Sequence, residues 1–370
     1  MRFLHLLTIV LALAPVSAPA QPAAVDSVGA ALATGHDGGV VIGWLDGDRT
    51  GTRGFGRVDS TGTRPTARTL FEIGSITKTF TGLLLADAIE RGHVDATTPV
   101  RTLLPDSVAW RSADSVETPV PTMTLQHLAT HRSGLPRLPS NLHAATRPTD
   151  PYAAYGDSAL YAFLDGYTLP RPPGTQYEYS NLGTGLLGHL LARRADTTYA
   201  ALVRQRITGP LGLPDTRIRL TGNQQARLAQ GHNRAGAPTP PWHFEALAGA
   251  GALRSTAADM LAYLRVYRHA LATDADTTSL LRGAMRRAVR PRAHVRDRTR
   301  IGFGWHQLTR DGHNILLHTG GTGGFRSLVA LDRGTGHGVV VLVSTSVASQ
   351  RVAEAGIHLL RTLRGGETTR

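Results

Sequence analysis

Phe71-Glu72-Ile73-Gly74-Ser75-Ile76-Thr77-Lys78-Thr79-Phe80 contains the only lysine in a chain that counts 40 lysine and arginine residues together. Every other basic position is arginine. Where positive charge alone matters the two residues substitute tolerably, so one lysine kept against that bias marks a place where guanidinium will not serve. An amine can lose its proton when desolvated or set beside other cations, whereas guanidinium stays charged. Ser75 stands three residues earlier, one helical turn away, so hydroxyl and amine share a face if a helix starts there. Phe80, Leu83, Leu84 and Ala88 give that helix an apolar face, and Arg91-Gly92 end it. Ser75 then lies at the helix N-terminus, where free N–H groups and the macrodipole favour developing negative charge. The stretch reads as a nucleophile beside a candidate base.

The chain has 370 residues. Its start reads as a secretory leader: Arg2, a mostly apolar run from Phe3 to Ala14, then Ala18-Pro19-Ala20 before Gln21. Residues 1–20 are therefore expected to be removed, and the protein to be periplasmic or secreted. No later stretch has the apolar length of a transmembrane segment. Roughly 350 remaining residues exceed one compact core, so two lobes or one large two-layer domain are expected. With no cysteine, disulfides, thiolate metal sites and a cysteine nucleophile are excluded.

A formal net charge of +13 invites a nucleic-acid reading, above all from Arg282 to Arg300 with its dense arginines. Interleaved aromatics and recognised nucleic-acid motifs are missing there, and export argues against such a partner. A solvated basic face or loop is the expectation for this stretch, with weak attraction to anionic envelope surfaces as the alternative.

Two strands, Val40 to Asp46 and Gly51 to Asp59, precede Ser75. Between Thr97 and Pro241 the pattern turns helical and proline-punctuated. Ser255-Thr256-Ala257-Ala258-Asp259 offers an N-cap for a helix running to about Ala270. Strands return at Gly302 to Leu308, Ile315 to Thr319, Phe325 to Leu331 and Val339 to Ser344, followed by a helix from Ser349 to Leu363. The fold class expected is α/β (α+β): one antiparallel sheet built from both termini, flanked by helices, with an inserted helical lobe. The α/β lobe would take about 25–95 and 296–365, the helical lobe about 96–295.

Taken together, Ser75-x-x-Lys78, Thr124 to His131, Ser133-Gly134-Leu135-Pro136, Pro173-Gly174-Thr175 running into Tyr179-Ser180-Asn181, Pro210 to Leu213, and His318-Thr319-Gly320-Gly321 resemble the serine β-lactamase and penicillin-binding superfamily, nearest its class C branch. The resemblance implies that Ser75 attacks a carbonyl to form an acyl-enzyme while Lys78 and Tyr179 share the proton work, a neighbouring ammonium favouring the phenolate. It implies that Asn181 binds a substrate amide oxygen or orients Lys78, that Thr319 touches a substrate carboxylate, and that Gly320 and Gly321 let backbone approach the substrate. Gly321 and Ser75 would supply the oxyanion N–H groups. His318 stands where class C enzymes usually carry lysine, and a mostly neutral imidazole holds a carboxylate less firmly; Arg326 is the candidate replacement charge. No glutamate-x-x-x-asparagine counterpart of class A occurs.

The implied activities are β-lactam hydrolysis, D-alanyl-D-alanine carboxypeptidase or D-aminopeptidase action, and carboxylester hydrolysis, all on a small-molecule or peptide substrate. A non-enzyme reading is a penicillin sensor that stays acylated. No Gly-x-Ser-x-Gly elbow and no Walker A occur. His127 and His131, one turn apart, lack the companions of a metal motif, so no metal and no cofactor are expected.

Overall fold

Both ends of the chain feed one sheet. The computed structural model describes residues 21–35, 37–108, 122–145, 149–272 and 278–365, and the expected leader lies outside them. Helix α1 (Gln21–Ala33) leads into the hairpin β1 (Gly39–Asp46) and β2 (Arg49–Gly56). Two-residue ladders join β3 (Phe71–Glu72) to β6 (Arg254–Ser255), and β4 (Gly231–His232) to β5 (Pro238–Thr239). The remaining strands are β7 (Ala293–Arg296), β8 (Thr299–Ile301), β9 (His306–Arg310), β10 (His313–Gly321), β11 (Arg326–Asp332) and β12 (Gly338–Val343). The sheet runs β2-β1-β12-β11-β10-β9-β8-β7, each neighbour antiparallel. The last strand therefore pairs with the first, Val40 opposite Val343, which closes the two termini into one layer.

Strand alternation sorts the core. Val40, Ile42, Val339, Val341 and Val343 face α1 and the terminal helix α10 (Ser349–Gly365), while Val41, Leu45, Val340 and Leu342 face the interior. Helix α2 (Thr77–Glu90) is buried along its length from Thr77 to Asp87, so it lacks the polar face that a surface helix shows. It stops as the sequence suggests: Gly92 takes φ +71°, and the N–H groups of Gly92 and His93 return to the carbonyls of Ile89 and Ala88.

The inserted helices are α3 (Leu125–Ala129), α4 (Asp157–Gly166), α5 (Asn181–Arg194), α6 (Tyr199–Val203) and the one-turn α7 (Gly222–Gln225), followed by α8 (Ala257–Leu271), α9 (Leu280–Ala288) and α10 (Ser349–Gly365). Thr256 caps α8 by accepting from the Asp259 N–H at 3.1 Å. Although α8 falls in the 96–295 span assigned to the helical lobe, it packs on β1 and β12 of the sheet.

Of the two forms expected for the arginine-rich stretch, the structure shows the solvated basic face and not the loop, with Arg290, Arg296, Arg298 and Arg300 exposed. The stretch builds α9 and the outer strands β7 and β8. Arg287 reaches Glu90 at 2.6 Å, and the Arg292 guanidinium lies 3.9 Å from the Phe303 ring centroid, so part of its charge has structural partners.

Gly82 is required where α2 meets the segment before β9: a Cβ there would sit 2.1 Å from the Phe303 carbonyl oxygen. Gly82→Ala should destabilise by about 1–3 kcal/mol through overpacking. Gly222→Ala, where a Cβ meets nothing within 4 Å, should stay within about 0.5 kcal/mol of the parent. Equal thermal midpoints for the two variants would contradict the contact.

Candidate active site

The backbone between β3 and α2 is a tight turn. Gly74 has φ +48°, and a Cβ on it would lie 2.5 Å from the Gly321 nitrogen, so the Ser75 turn presses on the end of β10. Gly320 serves the same approach, its missing Cβ leaving room for the Ile73 carbonyl, which accepts from Ser327 Oγ at 2.9 Å. Beneath the turn, Glu72 Oε1 accepts from the Trp242 N–H at 2.8 Å and pairs with buried Arg254 at 3.2 Å. No side-chain cap is made at the start of α2, so the Ser75 hydroxyl is left for other partners.

Those partners are Lys78 and Tyr179. Lys78 Nζ is 2.9 Å from Ser75 Oγ, 2.8 Å from Asn181 Oδ1 and 2.7 Å from the Ala250 carbonyl oxygen. Lys78 is fully buried, with 0% of its surface exposed. Tyr179 lies near enough for the Ser75 side chain to ease its ionisation, and its ring centroid lies 4.9 Å from Lys78 Nζ and 5.0 Å from the Arg137 guanidinium. Asn181 uses Oδ1 for Lys78 and donates from Nδ2 to the Tyr152 hydroxyl at 3.1 Å, so of its two expected tasks the orientation of Lys78 is the one made here.

Burial, and next the Arg137 guanidinium, hold the Lys78 amine well below the ordinary lysine range; the three oxygens around Nζ oppose that shift by favouring the ammonium. Tyr179 moves the other way. Burial pushes it up to about 12 and outweighs the Ser75 side chain and Arg137. A nearby cation, Arg137, does favour the phenolate as expected, but desolvation is the larger effect and the balance lies toward the phenol.

At the other wall, β9 pairs only with His313–Leu317, so β10 from His318 to Gly321 has a free edge on that side. Thr322 N–H donates to Phe325 O at 3.1 Å, and ladder alternation then turns the Gly321 N–H away from β11, toward the Ser75 turn. His318 is buried, its Nδ1 is 2.6 Å from the Thr319 carbonyl oxygen, and its Nε2 has no partner. The carbonyl fixes the proton on Nδ1, and burial with the neighbouring His306 and Lys78 keeps the ring neutral. Thr319 is half-buried beside it. Arg326 is turned elsewhere: its Nη1 donates to the carbonyls of Thr322 and Phe325, both at 2.7 Å.

Sequence reasoning missed four contributors. Arg137 and Tyr152 carried no motif. His306 sits with its ring 5.2 Å from His318 and its Nε2 3.1 Å from the Tyr177 hydroxyl, and burial lowers its pKa to about 4. His131, the last residue of the Thr124 to His131 motif, carries no catalytic task in the sequence reading. In the structure its Nδ1 accepts from the Ser180 N–H at 3.2 Å, its carbonyl accepts from the Glu178 N–H at 2.7 Å, and its ring lies 4.4 Å from that of Tyr179. It thus grips residues on both sides of Tyr179 from an unusual left-handed backbone, φ +56°. Among the described residues no group of three or more His, Asp and Glu is placed to hold a metal.

With this geometry in view, the family model described as Beta-lactamase matches residues 22–363, and the chain belongs to the beta-lactamase family. It is 28% identical over 320 residues to the D-alanyl-D-alanine-carboxypeptidase/endopeptidase AmpH of Escherichia coli (strain K12), covering 83% of this chain and 80% of that one. It is 27% identical over 326 residues to a beta-lactamase of Pseudomonas fluorescens, covering 80% and 85%. Among solved structures, a class C beta-lactamase from Rhodobacter sphaeroides superposes with a TM-score of 0.76 at 26% identity, over 92% of this chain and 98% of that one. The D-alanine carboxypeptidase AmpC of Burkholderia cenocepacia gives 0.75 at 25%, over 92% and 99%. The protein is a serine hydrolase with the class C β-lactamase fold.

His131→Phe keeps a ring but loses the acceptor for Ser180. It should lower kcat for an ester substrate about 10- to 100-fold with KM within about twofold, since small displacements of reacting groups cost that much. His131→Asn can accept through Oδ1 and tolerates the left-handed backbone, so it should recover most of the rate. Wild-type kcat in the Phe variant would show that the grip on Tyr179 is dispensable.

Proposed function

We propose that the protein is an exported acyl-enzyme hydrolase of amide or ester carbonyls in which Ser75 is the nucleophile, Lys78 its general base and Tyr179 the proton relay. The observation that carries this is the buried Lys78 amine, pushed toward neutrality and 2.9 Å from Ser75 Oγ. A neutral amine takes the hydroxyl proton as Oγ attacks; the developing oxyanion is met by the N–H groups of Ser75 and Gly321. The Tyr179 phenol, protonated at rest, passes a proton to the leaving group, and the same pair activates water to release the acyl group. Asn181 holds Lys78 in line, Gly320 admits β10 to the turn, and Thr319 on its free edge orients the substrate.

The substrate classes supported by relatives' names are β-lactams and D-alanyl-D-alanine peptides. His318 bears on the choice. A neutral imidazole whose free Nε2 is an acceptor attracts a donor and repels a carboxylate, so this position favours esters and peptides over a β-lactam with its anion at that point. Location beyond the cytoplasm rests on the leader-like residues 1–20, and no helix among the described residues is long and apolar enough to cross a membrane. The net charge of +13 supports weak attraction to anionic envelope surfaces.

Parallel turnover of a chromogenic cephalosporin and a short-chain nitrophenyl ester by wild type and Ser75→Ala tests the nucleophile; equal rates in the two proteins would reject it. Lys78→Arg should remain folded and lose about 10³-fold or more, near the upper part of what a general base supplies. The pH profile adds a sign. The amine is active above its own pKa, and that pKa is lowered, so kcat/KM should reach its plateau below the ordinary lysine range. Tyr179 stays protonated up to about pH 12, so its ionisation should cause no earlier decline. A rise that follows free lysine would remove the neutral-amine role.

A further inference from the structure

Against the free edge of β10 lies a cavity of about 730 Å³. One wall is the site already described, through Tyr177, His306, His318 and Thr319. The opposite wall comes from the outer strands and carries Arg296, Arg298 and Arg310 against a single carboxylate, Asp297. The β7–β8 turn sets this up. Asp297 takes the left-handed conformation, φ +46°, its carbonyl oxygen lies 3.0 Å from His294 Nε2, and the two flanking arginines are held on either side of it.

All three guanidiniums are exposed, and among the described residues none is hydrogen-bonded or salt-bridged. Elsewhere on the surface arginines find acids: Arg53 with Asp26, Arg268 with Asp48, Arg361 with Asp311. The field of Arg296 reaches inward: it opposes the rise that burial imposes on Tyr177 and reinforces the fall that burial imposes on His306. Between arginines and Ser75 stand two neutral imidazoles, and His318 presents an unpartnered acceptor nitrogen. A carboxylate next to His318 would meet that lone pair; a few bonds further out it would meet planar forks suited to it.

We propose that this cavity is a subsite for a carboxylate carried by the substrate fragment lying along the free edge of β10. The inference rests on the hydrolase reading above and deepens it: the preferred substrates are acyl compounds whose leaving group bears an anion several bonds beyond the scissile carbonyl, with a neutral donor group beside His318.

Two esters of one acyl group, with phenol and meta-carboxyphenol as leaving groups, provide the test. The ratio of their kcat/KM values is read in wild type, in Arg296→Gln and Arg298→Gln, in the triple variant with Arg310→Gln, and in Arg137→Gln, with thermal midpoints as the folding control. The wild type should favour the carboxylate ester. The triple variant should lose that preference by about tenfold or more, chiefly through KM, as expected for charge-assisted contacts partly open to water. An unchanged ratio overturns the subsite, and so does a loss confined to Arg137→Gln, which would place charge reading at the Tyr179 ring. Calorimetric binding of both esters to Ser75→Ala separates the two readings. If wild type hydrolyses neither ester, the hydrolase proposal fails; the subsite still stands if the carboxylate ester binds about tenfold more tightly and the arginine variants abolish the difference, and falls if the two bind equally.

Discussion

One amine in a dry interior organises this molecule. Lys78 Nζ reaches oxygens that come from the turn before α2, from the start of α5 and from the short helical turn Ala248–Ala250, positions 3, 103 and 172 residues away in sequence. An ammonium there satisfies all three acceptors but bears the cost of leaving water; a free amine avoids that cost and leaves an acceptor unserved. Burial and Arg137 pull toward the free amine while the three oxygens pull toward the ammonium, and a group under such opposed pulls can take and return a proton. Removing any one of the three segments would tip the balance, so the packing of α2, α5 and the sheet is part of the proton chemistry.

The geometry that brings those segments together depends on close backbone approach. Gly74 and Gly320 allow the Ser75 turn to sit on β10, and Gly321 then offers its N–H at the gap. The Glu72–Arg254 pair below is buried and hydrogen-bonded to the Trp242 N–H and to the carbonyls of Ile218 and Trp242, so its charges hold β3 to β6 without entering the site. A buried pair of this kind contributes little net stability, and its directional bonds bring order to a turn that could otherwise shift.

Much of this was legible in the residues. The lone lysine with Ser75 one turn before it, the alternating C-terminal strands and the Thr256 cap each rest on a local pattern of period or spacing, and local patterns survive into the structure. The arginine-rich stretch read correctly as a solvated basic face, but its elements did not, because β7 and β8 are outer strands of four and three residues, too short for a pattern of period two to stand out. His131, His306, Arg137 and Tyr152 stayed hidden for another reason. Their roles exist only through residues distant in sequence, such as Ser180, Tyr177, Tyr179 and Asn181, and no spacing rule reports a tertiary contact. Even the charge state of Tyr179 followed from burial, a quantity the sequence does not carry.

The distribution of charge across the site follows one rule. Inside, the ionisable groups are held uncharged or nearly so: a phenol pushed up to about 12, imidazoles lowered by burial, an amine lowered likewise. Outside, arginines stay charged because guanidinium resists deprotonation. A neutral interior keeps the local dielectric low, which strengthens each hydrogen bond from Ser75, Lys78 and Tyr179 and raises the worth of backbone N–H groups aimed at a forming oxyanion. Had lysine occupied position 318, its ammonium would have lowered Lys78 further by repulsion and also drawn an anion into the dry zone. Histidine at that point separates the two tasks, leaving proton transfer to the buried groups and charge recognition to the rim.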